Sequence, residues 1–413
     1  MSLVSRIADS ISPPRMGRDF RNLLASAWIT NIGDGLAFAA GPLLVASQTR
    51  DPFLVALAAA LQRLPWLLFG LHAGVVADRL DRRRVAVAVN LVRALVLAAL
   101  SLVIVTGQVN VPIVLVVAFL LGTAETFADT AATTLLPMVV DKADLGAANA
   151  RFMVGHITGN DLIGPPIGAG LFAVGMVVPF ATQAVGVALG ALLIARMAAT
   201  RPTPKEEQRR VVGDIVEGLR WVWRDPAVRT LTLTIVTFNV TYGAVLSILV
   251  LYTSDRLGLD EVGFGLLLAA SAIGGILGSS IYGWLERRLG PTRIMRGGLM
   301  IEATSHLVLA VTTTPLVAAV TLFVFGIHEA AWGTTSSTAR QRLVPMEMQG
   351  RVGSTYMLGL QGGLVVGAAL GGLIAGAWGL TGPFWFAFVG SVLILAAIWR
   401  ELGHIGSLSA AAT

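Results

Sequence analysis

The chain of 413 residues contains no cysteine. That excludes disulfides, zinc–thiolate centres and cysteine-ligated iron–sulfur clusters. Charge is also scarce. Asp, Glu, Lys and Arg make up 13% of the residues, whereas a soluble domain carries about 25%. No Walker-type phosphate loop and no spaced His/Cys set is present, so neither ATP hydrolysis by the chain itself nor a catalytic metal is expected. Gly274-Gly275-Ile276-Leu277-Gly278 loosely mimics a dinucleotide loop. It lacks a preceding strand and an acidic partner, and reads as helix packing. No cofactor and no enzymatic activity are expected.

What is present is apolar. Hydrophobic residues make up 55% of the chain and the mean hydropathy is +0.76, the composition of an integral membrane protein. About 20 apolar residues cross a bilayer as a helix. Twelve segments qualify: 20–47, 52–77, 85–106, 111–137, 149–175, 179–199, 229–252, 262–285, 293–312, 315–338, 353–378 and 383–400. Barrel-like alternation is absent, and runs of Leu, Ala, Val and Gly fit helices. The expected fold is all-α. Residues 1–21 are polar and basic, so no cleaved signal peptide is expected and the first segment stays as a helix.

Basic residues orient these segments. Arg6, Arg15, Arg18, Arg21, the cluster Arg79 to Arg84, Lys142, Arg151 and the stretch Arg196 to Arg229 fall on one side. Arg287, Arg288, Arg293, Arg296, Arg340, Arg342, Arg351 and Arg400 join them, and Arg50 and Arg256 alone fall on the other. The positive-inside rule therefore places both termini in the cytoplasm. The net charge of +6 is then a topology signal. Nucleic acid is not an expected partner; anionic lipid headgroups are a secondary one.

Residues 200–228 interrupt the apolar pattern with a polar, proline-bearing stretch, a linker between domains 1–199 and 229–413. Asp214 is positioned to cap a helix whose Ile215, Leu219, Val222 and Trp223 share a face suited to the inner membrane surface. The two halves echo each other. Asn31-Ile32-Gly33-Asp34-Gly35 matches Asn239-Val240-Thr241-Tyr242-Gly243 at an offset of 208. Gly74 to Arg84 matches Gly283 to Arg293 at 209, and Leu136-Pro137-Met138 matches Val344-Pro345-Met346 at 208. Duplicated six-helix units that rock about a central site are a mark of transporters.

Two motifs stand out. Gly74-Val75-Val76-Ala77-Asp78-Arg79-Leu80-Asp81-Arg82-Arg83-Arg84 packs six charges into seven residues between two apolar segments. It must be a short cytoplasmic hairpin, with Gly74 allowing close helix packing. The stretch Gly155 to Gly170 carries Gly159, Gly164, Pro165 and Gly168, small residues that let helices approach and a proline that bends the backbone.

The first loop and the Gly155–Gly170 stretch resemble the loop signature and the "antiporter" motif of the major facilitator superfamily. Glu217 to Trp223 and Glu125 to Asp129 resemble its bacterial drug and siderophore exporters, of the macrolide-efflux and enterobactin-exporter type. The resemblance implies two pseudo-symmetric six-helix bundles. It also implies that Gly74, Asp78, Arg79, Arg82 and Arg83 form a conformational latch, Asp78 meeting the start of the eleventh helix near Gly353. Asp81 stands where the family often has glycine, so the turn is expected to differ.

Ionisable residues inside a bilayer are costly and default to function. Here they are Asp34, Arg63, Arg93, Glu125, Asp129, Asp161, Glu302, His306, His328 and Glu329. Asp34 lies about 20 Å deep at ~1.5 Å per residue, a depth similar to that of Arg63, its expected ion-pair partner. Glu125 and Asp129 share one helix face, and two carboxylates so close in a low dielectric do not both ionise easily. Asp34, Glu125, Asp129 and Glu329 are the proton-coupling candidates. Asn31, Phe38, Arg63, Phe127, Asn239, Tyr242, His328 and Trp332 are candidates to line a substrate cavity. Asp161, Glu302 and His306 read as structural or interfacial.

The reading is a monomeric, multi-pass protein of the bacterial inner membrane: a drug/proton antiporter exporting amphipathic molecules, with a role in antibiotic resistance. A dedicated siderophore or metabolite exporter and a lysophospholipid flippase are the alternatives.

Overall fold

The computed structural model describes residues 16–198 and 211–411; the polar part of the linker lies outside the described residues, as do the side chains of Asp78 and Arg79. All regular elements among the described residues are helical. In chain order they are α1 Gly17–Gln48, α2 Pro52–Arg79, α3 Arg82–Val105, α4 Val111–Val139 and α5 Leu145–His156. A π-helical turn, Ile157–Ile163, leads into α6 Gly164–Val174 and then α7 Val178–Ala195. After the linker come α8 Val211–Arg224, α9 Pro226–Leu246, α10 Leu249–Leu251 with a π turn Tyr252–Arg256, α11 Glu261–Val311, α12 Pro315–Leu343, α13 Gln349–Trp378 and α14 Gly382–Ala411.

The ends of these helices are encoded locally. Asn110, Asp225 and Asp260 accept the backbone N–H three residues on, and a proline follows the first two within two residues. Such residues satisfy amides that have no partner within the helix. Gly107, Gly258 and Gly379 have φ of 69°, 65° and 81° and end helices or turns where a side chain would be strained. Gly290, with φ 74° and ψ 162°, breaks the 51-residue α11 between the two segments expected there.

Nine helices among the described residues are long and apolar enough to cross a membrane, or ten if α9 and the following Leu249–Arg256, bent by 43°, count as one span. Some boundaries differ from expectation. α13 begins at Gln349 rather than Gly353, behind a 3-10 turn. α8 is already helical at Val211, so Asp214 lies inside the helix rather than capping it. Its apolar face is divided: Val222 is buried against Val228, Val344 and Val352, while Leu219 and Trp223 stay exposed.

The chain forms two compact units, residues 1–48 with 64–205, and 49–63 with 206–413. In the first, Phe20, Leu23 and Leu24 of α1 meet Leu135 and Leu136 of α4 and Ile194 of α7 in a buried cluster. In the second, Leu231 and Ile235 of α9 meet Met295 and Leu299 of α11, Trp332 of α12 and Leu402 of α14.

Each unit also has a glycine seam. A Cβ at Gly164 would lie 2.5 Å from Gly35 Cα, and one at Gly168 would collide with the backbone of Leu36. Gly159 lies against Ile32 in the same way, its Cβ position 3.1 Å from the amide nitrogen. The expected packing role of Gly164, Pro165 and Gly168 is thus the crossing of α1; Pro165 is buried there. In the second unit Gly363, Gly367 and Gly371 of α13 lie against the backbones of Val236, Val240 and Ala244 of α9. Gly274 and Gly278 of α11 meet Phe323 and Ile327 of α12, the helix packing expected of that Gly-rich run.

Candidate functional site

Asp34 lies midway along α1, and a carboxylate inside an apolar helix needs a partner. It pairs with Arg93 of α3, whose guanidinium donates a hydrogen bond to Oδ1. Gln183 of α7 donates from Nε2 to the same oxygen at 3.1 Å. α7 packs against both α1 and α3, which brings the three side chains together. Arg93, rather than the expected Arg63, is thus the partner of Asp34. Depth along a helix ranks residues across the membrane but does not say which helices are neighbours, and Arg63, half-buried on α2, packs with the second unit.

Arg93 is 3% exposed, and its charge is also attracted by Glu125 and Asp129 of α4. Asp129 interacts in turn with Asp34 and with His156. Glu125 and Phe127 are half-buried, whereas Asp129 and His156 are exposed. One carboxyl is therefore paired with the buried guanidinium and the charges of two more act on it through space, an arrangement in which a proton can offset excess negative charge. Asn31 and Phe38 lie half-buried on α1, and Asn31 Oδ1 is 3.4 Å from His156 Nδ1. Asp161 is exposed on the π turn and also interacts with His156.

The second unit gathers rings instead. Phe238 and Tyr242 of α9 stack on each other and on Phe325 of α12, with centroids 5.8, 6.2 and 5.8 Å apart. His328 stands edge-on to Phe325 at 5.2 Å, and Trp332 is buried one turn further along. Glu329, next to His328, is half-buried. Asn239 is buried and donates from Nδ2 to its own helix at Ile235 O, 2.8 Å. It is satisfied by the backbone.

Gln183, His156 and Phe325 were not singled out by sequence. Gln183 carried a signal: it is the one strongly polar side chain in the apolar run 178–195. Phe325 carried none, because an apolar ring in an apolar helix has no distinguishing pattern.

At the first loop, Asp81 has a local role of its own. It caps α3, accepting the N–H groups of Arg83 and Arg84 at 3.0 and 3.2 Å. Arg82 donates to Thr134 O of α4 at 3.2 Å, and Arg83 donates to Ala195 O at the end of α7. These arginines close helix C-terminal carbonyls, where cations are favoured. Among the described residues, a Cβ at Gly74 would meet nothing within 4 Å. The latch residues Asp78 and Arg79 lie outside the described side chains.

A bundle of long apolar helices with ion pairs in their midst defines a multi-pass integral membrane protein. Residues 9–408 match the profile of the transmembrane secretion effector family, and the chain belongs to that family of the major facilitator superfamily. It is 30% identical over 385 residues to the multidrug efflux pump Tap of Mycolicibacterium fortuitum, covering 88% of this chain and 90% of the relative. Its fold matches a mutant of the nucleoside transporter NupG with a TM-score of 0.75 at 12% identity, covering 93% of this chain and 99% of the other. A bacterial homologue of the iron transporter ferroportin matches with a TM-score of 0.75 at 14% identity, over 93% and 98% of the two chains. The chain is thus a transporter of this family.

Proposed function

We propose that the chain is a proton-coupled exporter of amphipathic small molecules, a drug/proton antiporter of a bacterial cytoplasmic membrane acting as a monomer among membrane lipids. The relative named as a multidrug efflux pump supports the substrate class. Twelve spans follow if α11 is divided at Gly290, α5 and α6 are joined through their π turn, and α9 is continued through Arg256. Two six-helix bundles, 1–199 and 229–413, then flank the 200–228 linker and transport by alternating access.

The observation that carries the coupling is the pairing of Arg93 with Asp34 while the charges of Glu125 and Asp129 act on it through space. A proton on Asp34 weakens its hold on Arg93 and leaves the guanidinium to the carboxyls of α4. Exposed Asp129 and His156 give water a route to the cluster. Substrate binding, with Asn31, Phe38, Phe127, Tyr242 and Trp332 as lining candidates, then competes with the proton for the same charge balance. Asp34→Asn and Glu125→Gln proteins in proteoliposomes should insert normally and lose proton-driven efflux. Undiminished uncoupler-sensitive transport by both variants would remove the proposal.

A further inference from the structure

Glu302, His306 and His328 are 1, 2 and 4% exposed, all inside the second unit. Glu302 Oε1 accepts a hydrogen bond from Ser391 of α14 at 2.8 Å, but Oε2 accepts none. Thr241 of α9 is a second hydroxyl that can donate to the carboxyl, in competition with Thr237 O and Phe238 O. His306, one turn along α11, places Nε2 4.0 Å from Glu302 Oε1. Neither ring nitrogen of His306, and neither of His328, has a hydrogen-bond partner. His306 packs at 5.8 Å on Phe325, which packs at 5.2 Å on His328. The charged or titratable groups that act on this cluster from the packed helices are His328 and Glu329 of α12; α9 and α14 offer Thr241 and Ser391. Among the described residues, no Lys or Arg acts on Glu302.

As static packing this arrangement is poor. Buried polar atoms without partners cost about 1–3 kcal/mol each, and apolar residues of the same size would avoid that cost. Glu302 Oε2 and the four imidazole nitrogens, left without hydrogen bonds, instead have room for a ligand that supplies them, and the smallest such ligand is a proton. Bound between Glu302 Oε1 and His306 Nε2, it needs a closure of about 1 Å to make a charge-assisted hydrogen bond. Glu329, half-buried beside His328, is an acid whose charge acts on Glu302.

We propose that Glu302, His306 and His328 form a second proton-binding site, buried in the second unit beside Glu329. The proton comes from water and returns to water; no bond other than N–H or O–H forms or breaks. Its role in transport rests on the proton-coupled reading above, but its existence does not. The test is therefore a pH titration of the intact purified protein in lipid nanodiscs, followed by infrared difference spectroscopy of the protonated-carboxyl stretch, with no substrate and no gradient. Wild type should show a titrating band that Glu302→Gln removes; glutamine keeps the side-chain size and the hydrogen bond from Ser391. His306→Ala and Ser391→Ala should retain the band and displace its midpoint by about one pH unit. An identical difference spectrum in Glu302→Gln overturns the site. A band lost in Glu302→Gln but unmoved by either other substitution overturns its membership. Loss of coupling by Asp34 variants alone, with this titration intact, leaves the second site standing.

Discussion

In the first unit a guanidinium and a carboxylate face each other from α3 and α1, and Gln183 completes the pair. In the second, Glu302 accepts a hydroxyl proton from Ser391, and two histidines sit among rings with none of their nitrogens satisfied. The sequence repeats that relate the halves conceal this divergence, because they preserve backbone geometry and not side-chain chemistry. Asn31 and Asn239 occupy equivalent positions; one lies beside His156, while the other donates to its own helix. Asp34 corresponds to Tyr242, so the repeat exchanges a member of the charged cluster for a member of the aromatic stack.

The largest expected effect breaks the comparison at its charged end. Arg93→Leu leaves Asp34 buried without its cation and should destabilise the protein by about 3–5 kcal/mol. His306→Leu, which removes two unsatisfied nitrogens, should leave stability unchanged or raise it by up to about 3 kcal/mol. Thermal unfolding of both variants in one detergent checks the contrast; equal losses would mean that the two units bury polarity on the same terms.

The glycine seams sharpen the likeness instead. Gly168→Leu and Gly371→Leu each force a side chain into a facing backbone and should cost about 1–3 kcal/mol or abolish folded protein. Gly170→Ala, which meets nothing within 4 Å, should be silent. Fluorescence-detected size exclusion of the three variants reads the outcome. A tolerated Gly371→Leu would show that only the first seam is tight.

The smallest effect is at the loop. Asp81→Ala removes the cap of α3 and should cost about 1 kcal/mol, lowering the apparent Tm while orientation, read by cysteine labelling at an introduced site, is unchanged. The corresponding break in the second unit, at Gly290, depends on a left-handed residue and has no cap to lose.

Most of the fold was legible because the bilayer demands long apolar runs and the chain marks their ends with proline, glycine and acidic caps. The Gly164–Gly168 crossing was legible for the same reason: small residues at helical spacing have few other uses. The pairing of Asp34 was not. Both Arg63 and Arg93 stand in apolar segments, and only the packing of α7 against α1 and α3 selects between them. The burial of Glu302 was equally hidden, since nothing in its apolar segment showed that Ser391 would cover its carboxyl.

The π turn at Ile157–Ile163 has a numerical consequence. At the offset of 208 that relates the halves, Gly155, Gly159, Gly164 and Gly168 fall on Gly363, Gly367, Gly372 and Gly376, with no residue gained or lost. The first-half seam nevertheless steps by five residues, from Gly159 to Gly164, where the second steps by four, from Gly367 to Gly371. The wider turn therefore moves the row that meets the neighbouring helix by one position at constant length. It falls in the segment that holds Asn160 and Asp161.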